Sequence, residues 1–370
     1  MAVKLPVLMT ADTVGGVWVY SIELARALGD RADISLATMG APLSAAQQAL
    51  AMAAGVHVCE SNFRLEWMDN AWNEVAAAGD WLLDLEARLH PDIVHLNNFA
   101  HGSLPWRAPV IVVGHSCVCS WWEAVHGRSA PPEWDRYRAA VAAGLRAASV
   151  VVAPTRAMLE SLDRLYGPLV DRRVLANGID PGQFAPALKE PLILSAGRLW
   201  DQAKNIRKLM EVASSLAWPV YVAGDCRSPD GRACAIENVH PLGHLERRRL
   251  AGWMSRASIY VLPARYEPFG LSVLEAAVSG CAPVVGDIAS LHEIWGDSAW
   301  YVAPDDTVGL RKALEMLIHD DEERNDLAER ARKRAAGFSI ERMAGAYWDL
   351  YTELAGIDVK SCRRRCRPMR

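Results

Sequence analysis

The sequence predicts an α/β protein with two doubly wound domains that face each other across a cleft. In the first half, short β-rich runs alternate with helical segments, and after a stretch rich in proline and glycine the same alternation begins again. The length of 370 residues also exceeds that of most single domains. We therefore expect Rossmann-like domains at residues 1–180 and 192–338, joined by a linker at residues 181–191.

The first domain begins with the predicted strand LPVLMT, residues 5–10. A Gly-Gly turn follows, and then a helix that places on one face Tyr20, Leu24, Ala27 and Leu28. Further strands are predicted at ADISLATM, GVHVCE, DIVHLN, APVIVVGHS and ASVVVAP. Several of them are apolar on both faces, which is typical of parallel strands covered by helices on both sides.

The linker is marked by a cluster of residues that disfavour regular structure: Gly178, Pro181, Gly182, Pro186 and Pro191. Beyond it, strands are predicted at PLILSAG, PVYVAG, IYVLPA and APVVGD, with helices at about residues 204–217, 246–256, 272–279 and 307–318. A closing amphipathic helix, SIERMAGAYWDLYTEL, lies within residues 339–357 and is expected to pack back towards the first domain.

Charge restricts the classes of partner. The last eleven residues, KSCRRRCRPMR, hold six of the 40 basic residues, so the body of the chain is acidic, which disfavours a nucleic-acid-binding surface. The basic tail, residues 358–370, is expected to be disordered, with an anchor for anionic lipid or an RNA contact as alternatives. Because no apolar run approaches the roughly 20 residues of a membrane span, we expect a cytoplasmic protein, whose oligomeric state the sequence leaves open.

The eight cysteines do not follow the spacing of a disulfide framework, so reduced thiols are expected. In HSCVCS, alternation along a strand would place His115, Cys117 and Cys119 on one face, with no fourth ligand nearby. No metal site is therefore expected there.

Two motifs place phosphate-binding groups where a strand meets a helix. Gly15 and Gly16 in VGGVWVY allow backbone amides to approach a phosphate or a sugar, although an ordinary tight turn explains them as well. In SAGRLWDQAKN, Arg198 and Lys204 follow a strand and are suited to clamping a diphosphate, with solvated surface charge as the alternative.

The stretch RYEPFGLSVLEAAVSG, residues 265–280, separates Glu267 and Glu275 by eight positions where a loop enters a helix. If the helix begins at Ser272, the preceding backbone amides point at an anion site. Glu275 then completes a capping box with Ser272. Glu267 lies in the loop, where its carboxylate is placed to accept hydrogen bonds from sugar hydroxyls.

Together these motifs resemble those of the retaining glycosyltransferases of family 4, which have the two-domain GT-B architecture. RYEPFGLSVLEAAVSG is similar to the E-x7-E motif of that family. Six other stretches occur in the order the family shows: VGGVWVYSIELARAL, PDIVHLNN, VVAPTRAMLESL, VLANGID, LSAGRLWDQAKN and VHPLGHL. The resemblance covers nearly the whole chain, and the ordered set is more specific than any one motif.

The resemblance implies a binding site for a nucleotide-diphosphate sugar, a UDP-sugar in the first place, and no cofactor. Arg198 and Lys204 would hold the diphosphate and stabilise the leaving group. Glu267 would hold hydroxyls of the transferred sugar, and Glu275 would bind the nucleotide ribose, with both acids on the same loop and helix.

The remaining positions implied by the family contribute mainly backbone. The residues that would approach the sugar and phosphates are Gly15, Gly16, Phe269, Gly270 and Leu271, and those beside the base are His244 and Leu245. His115 would lie beside the transferred sugar. A structural role is the interpretation kept for three other residues at a strand end, His95, Asn98 and His101.

Two positions depart from the family pattern. Ser290, in DIASLHE, lies where many members have glycines, which puts backbone approach to a ligand in doubt there. Asn205 replaces the glycine that often follows the family lysine. Neither change removes a charged group from the implied site.

The resemblance implies a front-face substitution with retention, in which the departing phosphate helps to take the acceptor proton and the protein contributes positioning and electrostatic stabilisation. No D-x-D triplet occurs, so we expect transfer without a metal ion. The alternatives are a glycosidase, a sugar-nucleotide epimerase or hydrolase, and a non-catalytic nucleotide-sugar-binding protein. The sequence leaves the acceptor open among glycans, lipids and small molecules. The tryptophans that offer flat surfaces for a sugar ring are Trp67, Trp72, Trp106, Trp121 and Trp122.

Overall fold

The computed structural model describes residues 4–228, 231 and 233–357, and these residues form two parallel sheets with helices between the strands. The predicted basic tail, residues 358–370, lies outside the described residues. The first sheet is built from β1 (Leu5–Asp12), β2 (Ala32–Met39), β3 (His57–Glu60), β4 (Ile93–Leu96), β5 (Val110–Val113), β6 (Val150–Ala153) and β7 (Arg172–Val174). The second is built from β8 (Glu190–Ala196), β9 (Val220–Ala223), β10 (His240–Gly243), β11 (Ala257–Leu262), β12 (Ala282–Gly286) and β13 (Trp300–Val302).

The strand orders are β3-β2-β1-β4-β5-β6-β7 and β10-β9-β8-β11-β12-β13. In each sheet the order reverses direction beside its first strand, which is the doubly wound arrangement. The α/β fold with two Rossmann-like domains is thus confirmed. The domain bounds taken from the sequence stay a prediction.

The helices of the first half are α1 (Gly16–Leu28), α2 (Ala45–Ala53), α3 (Trp72–Leu89), α4 (Val118–His126), α5 (Asp135–Ala147) and α6 (Arg156–Tyr166). Those of the second half are α7 (Ile206–Ala213), α8 (Arg247–Arg256), α9 (Leu271–Val278), α10 (Ala289–Trp295), α11 (Thr307–His319), α12 (Asp321–Ala335) and α13 (Ile340–Leu354). None of the helices in the described chain is both long and apolar enough to cross a membrane.

The central strands are short apolar runs buried on both faces. Every residue of β4, β5, β6 and β11 is buried, because helices cover both sides of each sheet. The last helix, α13, packs against the first sheet: Met343, Tyr347 and Tyr351 belong to the same apolar core as Met9 and Ile93. The chain therefore returns to its first domain at its end.

Residues that follow the strands of one sheet contact residues that follow the strands of the other. Beyond β6, the Thr155 hydroxyl donates to the carbonyl of Pro268 at 3.0 Å. Beyond β5, the Cys117 amide donates to the Tyr266 hydroxyl oxygen at 3.1 Å. The carboxyl ends of both sheets thus border the same cleft, where ligands bind in open α/β folds.

The prediction that His115, Cys117 and Cys119 share one face of a strand is wrong. β5 ends at Val113, and Cys117 is the N-cap of α4, where its sulfur accepts a hydrogen bond from the Ser120 amide. Within the described ranges, no three His, Cys, Asp or Glu side chains are grouped so that they could hold a metal ion.

Glycine allows α5 to approach the turn that follows β4. A Cβ on Gly144 would lie 1.9 Å from the carbonyl oxygen of Phe99, and one on Gly102 would lie 2.7 Å from the carbonyl oxygen of Gly144. Since backbone atoms cannot yield as a flexible side chain does, this close contact fixes the turn that carries Asn98 and His101.

We expect Gly144→Ala to destabilise the chain by about 1–3 kcal/mol, because the added methyl overlaps the backbone of Phe99. The matched control is Gly252→Ala in α8, where an added Cβ meets nothing within 4 Å and helix propensity favours alanine by about 0.5–1 kcal/mol. Thermal midpoints should move down in the first variant and up in the second. Equal shifts of the same sign would contradict the proposed packing.

Candidate active site

An ion pair between Lys204 and Glu267 lies in the middle of the side of the cleft that the second domain forms. Lys204 ends the short turn after β8, Glu267 follows β11, and Nζ lies 2.5 Å from Oε2. The two side chains are only 16% and 12% exposed. The other carboxylate oxygen of Glu267 accepts a hydrogen bond from the Gly270 amide at 3.0 Å, so both oxygens are held in place.

The helix after this loop begins one residue earlier than predicted. Its N-cap is Gly270, with φ of 89°, and no side chain caps the first turn. The capping box between Ser272 and Glu275 is therefore wrong: Ser272 already lies within α9. A left-handed N-cap favours glycine, which explains why Gly270 occupies this position.

Arg198 lies between the two domains. Its Nη2 donates to Asp201 Oδ2 at 2.9 Å, and its guanidinium lies over the ring of Trp200, 5.5 Å from the centroid. Across the cleft, a Cβ added to Gly15 would lie 3.4 Å from Arg198 Nη1. Gly15 has φ of 108° and is the N-cap of α1, so the glycine turn of the first domain and the arginine of the second are neighbours.

Asp201 connects this arginine to the first domain. Its carboxylate is 4% exposed and accepts a hydrogen bond from Trp121 Nε1 at 2.9 Å. Burial opposes ionisation of Asp201, but the charges of Arg198 and Lys204 and the hydrogen bonds from Trp121 and the Ala203 amide together lower its pKa. Of the tryptophans predicted as surfaces for an acceptor sugar, Trp121 therefore contacts the group of Arg198, Asp201 and Lys204.

Glu275, eight positions beyond Glu267, points towards the first domain. Arg247 of α8 lies between Glu275 and Glu23 of α1: Nη2 is 3.5 Å from Glu275 Oε1, and Nη1 donates to Glu23 Oε1 at 3.0 Å. Burial raises the pKa of Glu275 to about 7, with Arg247 acting in the opposite direction. Sequence reasoning missed Glu23 and Arg247, because nothing in the run ERRR shows which arginine faces the cleft.

His115 lies at the end of a buried hydrogen-bond chain in the first domain. Its Nε2 is 2.7 Å from Asn97 Oδ1, and the same oxygen is 3.2 Å from Nε2 of His95. His95 Nδ1 is in turn 2.6 Å from the hydroxyl of Tyr351 in α13. Burial lowers the pKa of both histidines to about 3, so both are neutral near pH 7.

The histidines and asparagine given a structural interpretation are buried and hydrogen-bonded. His95 and His101 are 0% and 3% exposed, and Asn98 is 8% exposed. His101 Nε2 is 2.9 Å from the carbonyl of Val75, which lies in α3. These contacts hold the loop after β4 against its neighbours.

Two acidic residues of the first domain, Asp12 and Glu66, also lie at the cleft, and the sequence did not predict them. Asp12 ends β1 and accepts a hydrogen bond from the Val14 amide at 2.6 Å. Glu66 is 5% exposed and accepts from the amides of Phe99 and Ala100 at 2.7 and 2.9 Å. Burial raises the pKa of Asp12 to about 7, although the nearby charge of Arg198 lowers it. The position of Asp12 at a strand end, three residues before Gly15, was the available signal.

The departures from the family pattern have structural explanations. Asn205 has φ of 57°, a left-handed conformation that asparagine tolerates better than most residues. Its side-chain amide donates to the carbonyls of Pro263 and Pro304 at 2.8 and 2.7 Å. Ser290 donates its hydroxyl to the carbonyl of Glu267 at 2.6 Å, which supports the loop from behind.

The remaining predicted residues lie around this centre. Phe269 is buried and stacks edge-on against Phe338, with centroids 5.7 Å apart. His244 and Leu245 follow β10, and His244 Nδ1 is 3.1 Å from Asp225 Oδ2 at an exposed position. An added Cβ on Gly16 meets no atom within 4 Å among the described residues.

Family models match both halves of the chain. A model described as Glycosyltransferase Family 4 matches residues 14–183, and one described as Glycosyl transferases group 1 matches residues 179–334. The D-inositol 3-phosphate glycosyltransferase of Xylanimonas cellulosilytica is 28% identical over 388 aligned positions, covering 92% of this chain and 92% of that protein. The alpha-maltose-1-phosphate synthase of Mycolicibacterium smegmatis is 24% identical, covering 93% and 97%.

Solved structures share the whole architecture. Sucrose-phosphate synthase from Thermosynechococcus elongatus has a TM-score of 0.79 at 18% identity, covering 95% of this chain and 99% of its own. HepE from Anabaena, solved in complex with UDP-glucose, has a TM-score of 0.76 at 16% identity, covering 94% and 100%. At these identities the similarity establishes the GT-B fold.

The pKa of Asp12 predicts a pH-dependent stability. Since it is raised from 3.8 to about 7 in the folded chain, ionisation of Asp12 destabilises the fold as the pH rises from about 4 to about 7. Asp12→Asn keeps an oxygen for the Val14 amide and cannot ionise. We expect its thermal midpoint to match that of the native chain near pH 4 and to exceed it at pH 8.

The control is Asp33→Asn, at an exposed position of β2, which removes a carboxylate away from the cleft. Thermal midpoints measured from pH 4 to pH 8 provide the comparison. A difference between Asp12→Asn and the native chain that stays constant over this range would contradict the assigned pKa.

Proposed function

Because the chain belongs to glycosyltransferase family 4, with the group 1 glycosyl transferase domain in its second half, we propose that it transfers a sugar, with retention, from a nucleotide-diphosphate sugar to an acceptor hydroxyl without a metal ion. The observation that carries this proposal is the meeting of Arg198, Lys204 and Glu267 opposite Gly15. The two cations and the carboxylate of the second domain thus lie in the same cleft as the glycine turn of the first domain.

Each group has a chemical task in this proposal. Arg198 and Lys204 supply positive charge where a diphosphate leaving group gains negative charge, and such fixed charges act most strongly at a site that excludes water. Glu267, held by Lys204 and the Gly270 amide, accepts hydrogen bonds from sugar hydroxyls. No side chain is assigned as a covalent nucleophile.

The first domain is proposed to receive the acceptor. His115 is neutral near pH 7, and because its Nε2 donates to Asn97 Oδ1, its Nδ1 is left to accept a hydrogen bond from a sugar or an acceptor hydroxyl. We propose a UDP-sugar as the first donor to test, because the similar Anabaena protein was solved in complex with UDP-glucose. The acceptor hydroxyl belongs to a glycan, a lipid or a small molecule.

Other activities of the same architecture are distinguished by products. A sugar-nucleotide hydrolase or epimerase acts on the donor without an acceptor, whereas a transferase releases nucleotide and forms a glycoside only when an acceptor is added. A binding protein without catalysis releases no nucleotide. A thermal-shift screen of UDP-, GDP- and ADP-sugars identifies the donor first, since ligand binding to the native state raises the melting temperature.

We expect Arg198→Ala to lower kcat for transfer by about 10²–10³-fold, because the leaving group loses a preorganised charge. Glu267→Gln should lower kcat/KM by about 10- to 100-fold, since a charge-assisted hydrogen bond to the sugar is lost. The control is Arg207→Ala, whose side chain is 86% exposed and is paired with Glu211. Full activity in both site variants would refute the site.

Metal independence has its own test. If Arg198 and Lys204 stabilise the diphosphate, treatment with EDTA followed by dialysis should leave kcat/KM for transfer unchanged. Adding Mg²⁺ or Mn²⁺ to the dialysed enzyme should then have no effect beyond that of ionic strength. Loss of activity with EDTA and its recovery with either ion would contradict this part of the proposal.

A further inference from the structure

Charged side chains from both domains meet beside the segment between β7 and β8, which joins the domains. Glu23 of α1 and Glu275 of α9 lie on either side of Arg247 of α8, at 3.0 and 3.5 Å from its terminal nitrogens. Glu23 and Glu275 are 7% and 13% exposed, and Arg247 is 26% exposed. The guanidinium also lies over the ring of Phe184, 5.4 Å from the centroid. Arg247 is thus held on several sides.

A narrow cavity between the domains adjoins these three side chains. Its walls include Tyr20 of α1 and Leu271 of α9, together with Gly178 and Ile179, which lie between β7 and β8. Within the described part of the chain, Arg247 Nε and Nη2 are buried and make no hydrogen bond. Nη2 still lies 3.5 Å from the Glu275 carboxylate, so Nε is the buried donor left without a partner, and its position beside the cavity favours a group with an acceptor oxygen there.

The charge of Glu275 depends on its neighbours. Burial raises its pKa to about 7, Arg247 lowers it, and the negative charge of Glu23 raises it. The other titratable groups around it are Tyr260 of β11 and Tyr20 of α1, and burial raises the pKa of each above its usual value, so both are neutral. Arg247 is therefore the neighbour that favours the ionised carboxylate.

We propose that Arg247 is a positioning residue for the donor, which favours the ionised form of Glu275 and directs its carboxylate at the ribose hydroxyls of the nucleotide while Glu23 fixes the guanidinium from the opposite domain. This inference rests on the proposed function and on the ribose-binding role that the family resemblance implies for Glu275. An ionised carboxylate accepts hydrogen bonds from both hydroxyls of a vicinal diol, whereas a protonated one has lost part of that capacity. Nε of Arg247, which is buried without a hydrogen-bond acceptor among the described residues, is the donor of this side chain left for a ligand.

The experiment compares UDP with 2′-deoxy-UDP, by calorimetric titration from pH 6 to pH 9, and repeats the measurement with the ADP and GDP pairs. The variants are Arg247→Met, Arg247→Lys and Glu23→Gln in the full chain. Dissociation constants are expressed relative to the native chain at each pH, so that ionisation of the phosphates cancels.

Arg247→Met should weaken UDP about tenfold at pH 7, because the pKa of Glu275 then rises and less of the carboxylate is ionised, and part of the loss should return at pH 9. The same variant should lose most of the preference of the native chain for UDP over 2′-deoxy-UDP. Arg247→Lys keeps a positive charge and should restore part of both properties. The rescue shows that charge, and not the bulk of the side chain, is required.

Glu23→Gln should shift the profile in the opposite direction. It removes the negative charge that raises the pKa of Glu275 and keeps an oxygen for Arg247, so UDP affinity should persist to a lower pH than in the native chain. Opposite shifts in two variants of the same ion bridge are not expected of residues that only join the domains.

The failures are distinguishable. If Arg247→Met weakens UDP and 2′-deoxy-UDP by the same factor at every pH, or leaves both unchanged while the native chain binds UDP, the inference is overturned and the proposed function stands. If none of UDP, ADP and GDP binds the native chain, both the proposed donor class and this inference are overturned.

Discussion

Lys204 and Glu267 follow neighbouring parallel strands, β8 and β11, and each is more than four-fifths buried. Removing an ion from water costs several kcal/mol, so neither charge is stable at this depth without the other. The pair therefore requires the two loops to stay together, and the Arg265 amide donates to the carbonyl of Ala203 to join them again. The orientation of Glu267, and with it the start of α9, depends on this attraction.

The contacts across the cleft are largely polar where the loops meet. Glu293 of α10 accepts hydrogen bonds from the amides of Arg156 and Ala157, at 2.7 and 3.0 Å, and so caps α6 of the other domain. The Ser120 hydroxyl is 2.8 Å from that of Tyr266. Water offers equivalent partners to all these groups, so separation of the domains exchanges one set of hydrogen bonds for another.

The fold was predictable because its strands are short apolar runs separated by helices, and glycines mark the strand ends. Elements with weak patterns were missed. β7 is an exposed edge strand whose sequence, RRV, gives no burial signal. α12 buries only Leu327, Ala331 and Ala335 along a chain of charged residues, so its apolar face is too narrow to stand out.

For the candidate site, the family motifs indicated which residues belong together but not how they are arranged. The capping box predicted between Ser272 and Glu275 does not form. Gly270, in a left-handed conformation, is the N-cap of α9, and Ser272 lies inside the helix. Glu23 and Arg247 are 224 positions apart, and their contact depends on how two domains meet. No local periodicity in the sequence carries that information. The sequence also does not show how deeply Asp12 and Glu275 are buried, and this burial sets their charge state.

Asn205 shows what replacement of a glycine adds. Its backbone adopts the left-handed turn that glycine would supply, while its side chain ties the end of the Lys204 loop to the carbonyls of Pro263 and Pro304. A glycine would remove these two side-chain hydrogen bonds, and the loop would be more disordered before a ligand binds. The entropy of ordering the phosphate-binding lysine is thereby lost once, when the chain folds, instead of at every encounter with a donor.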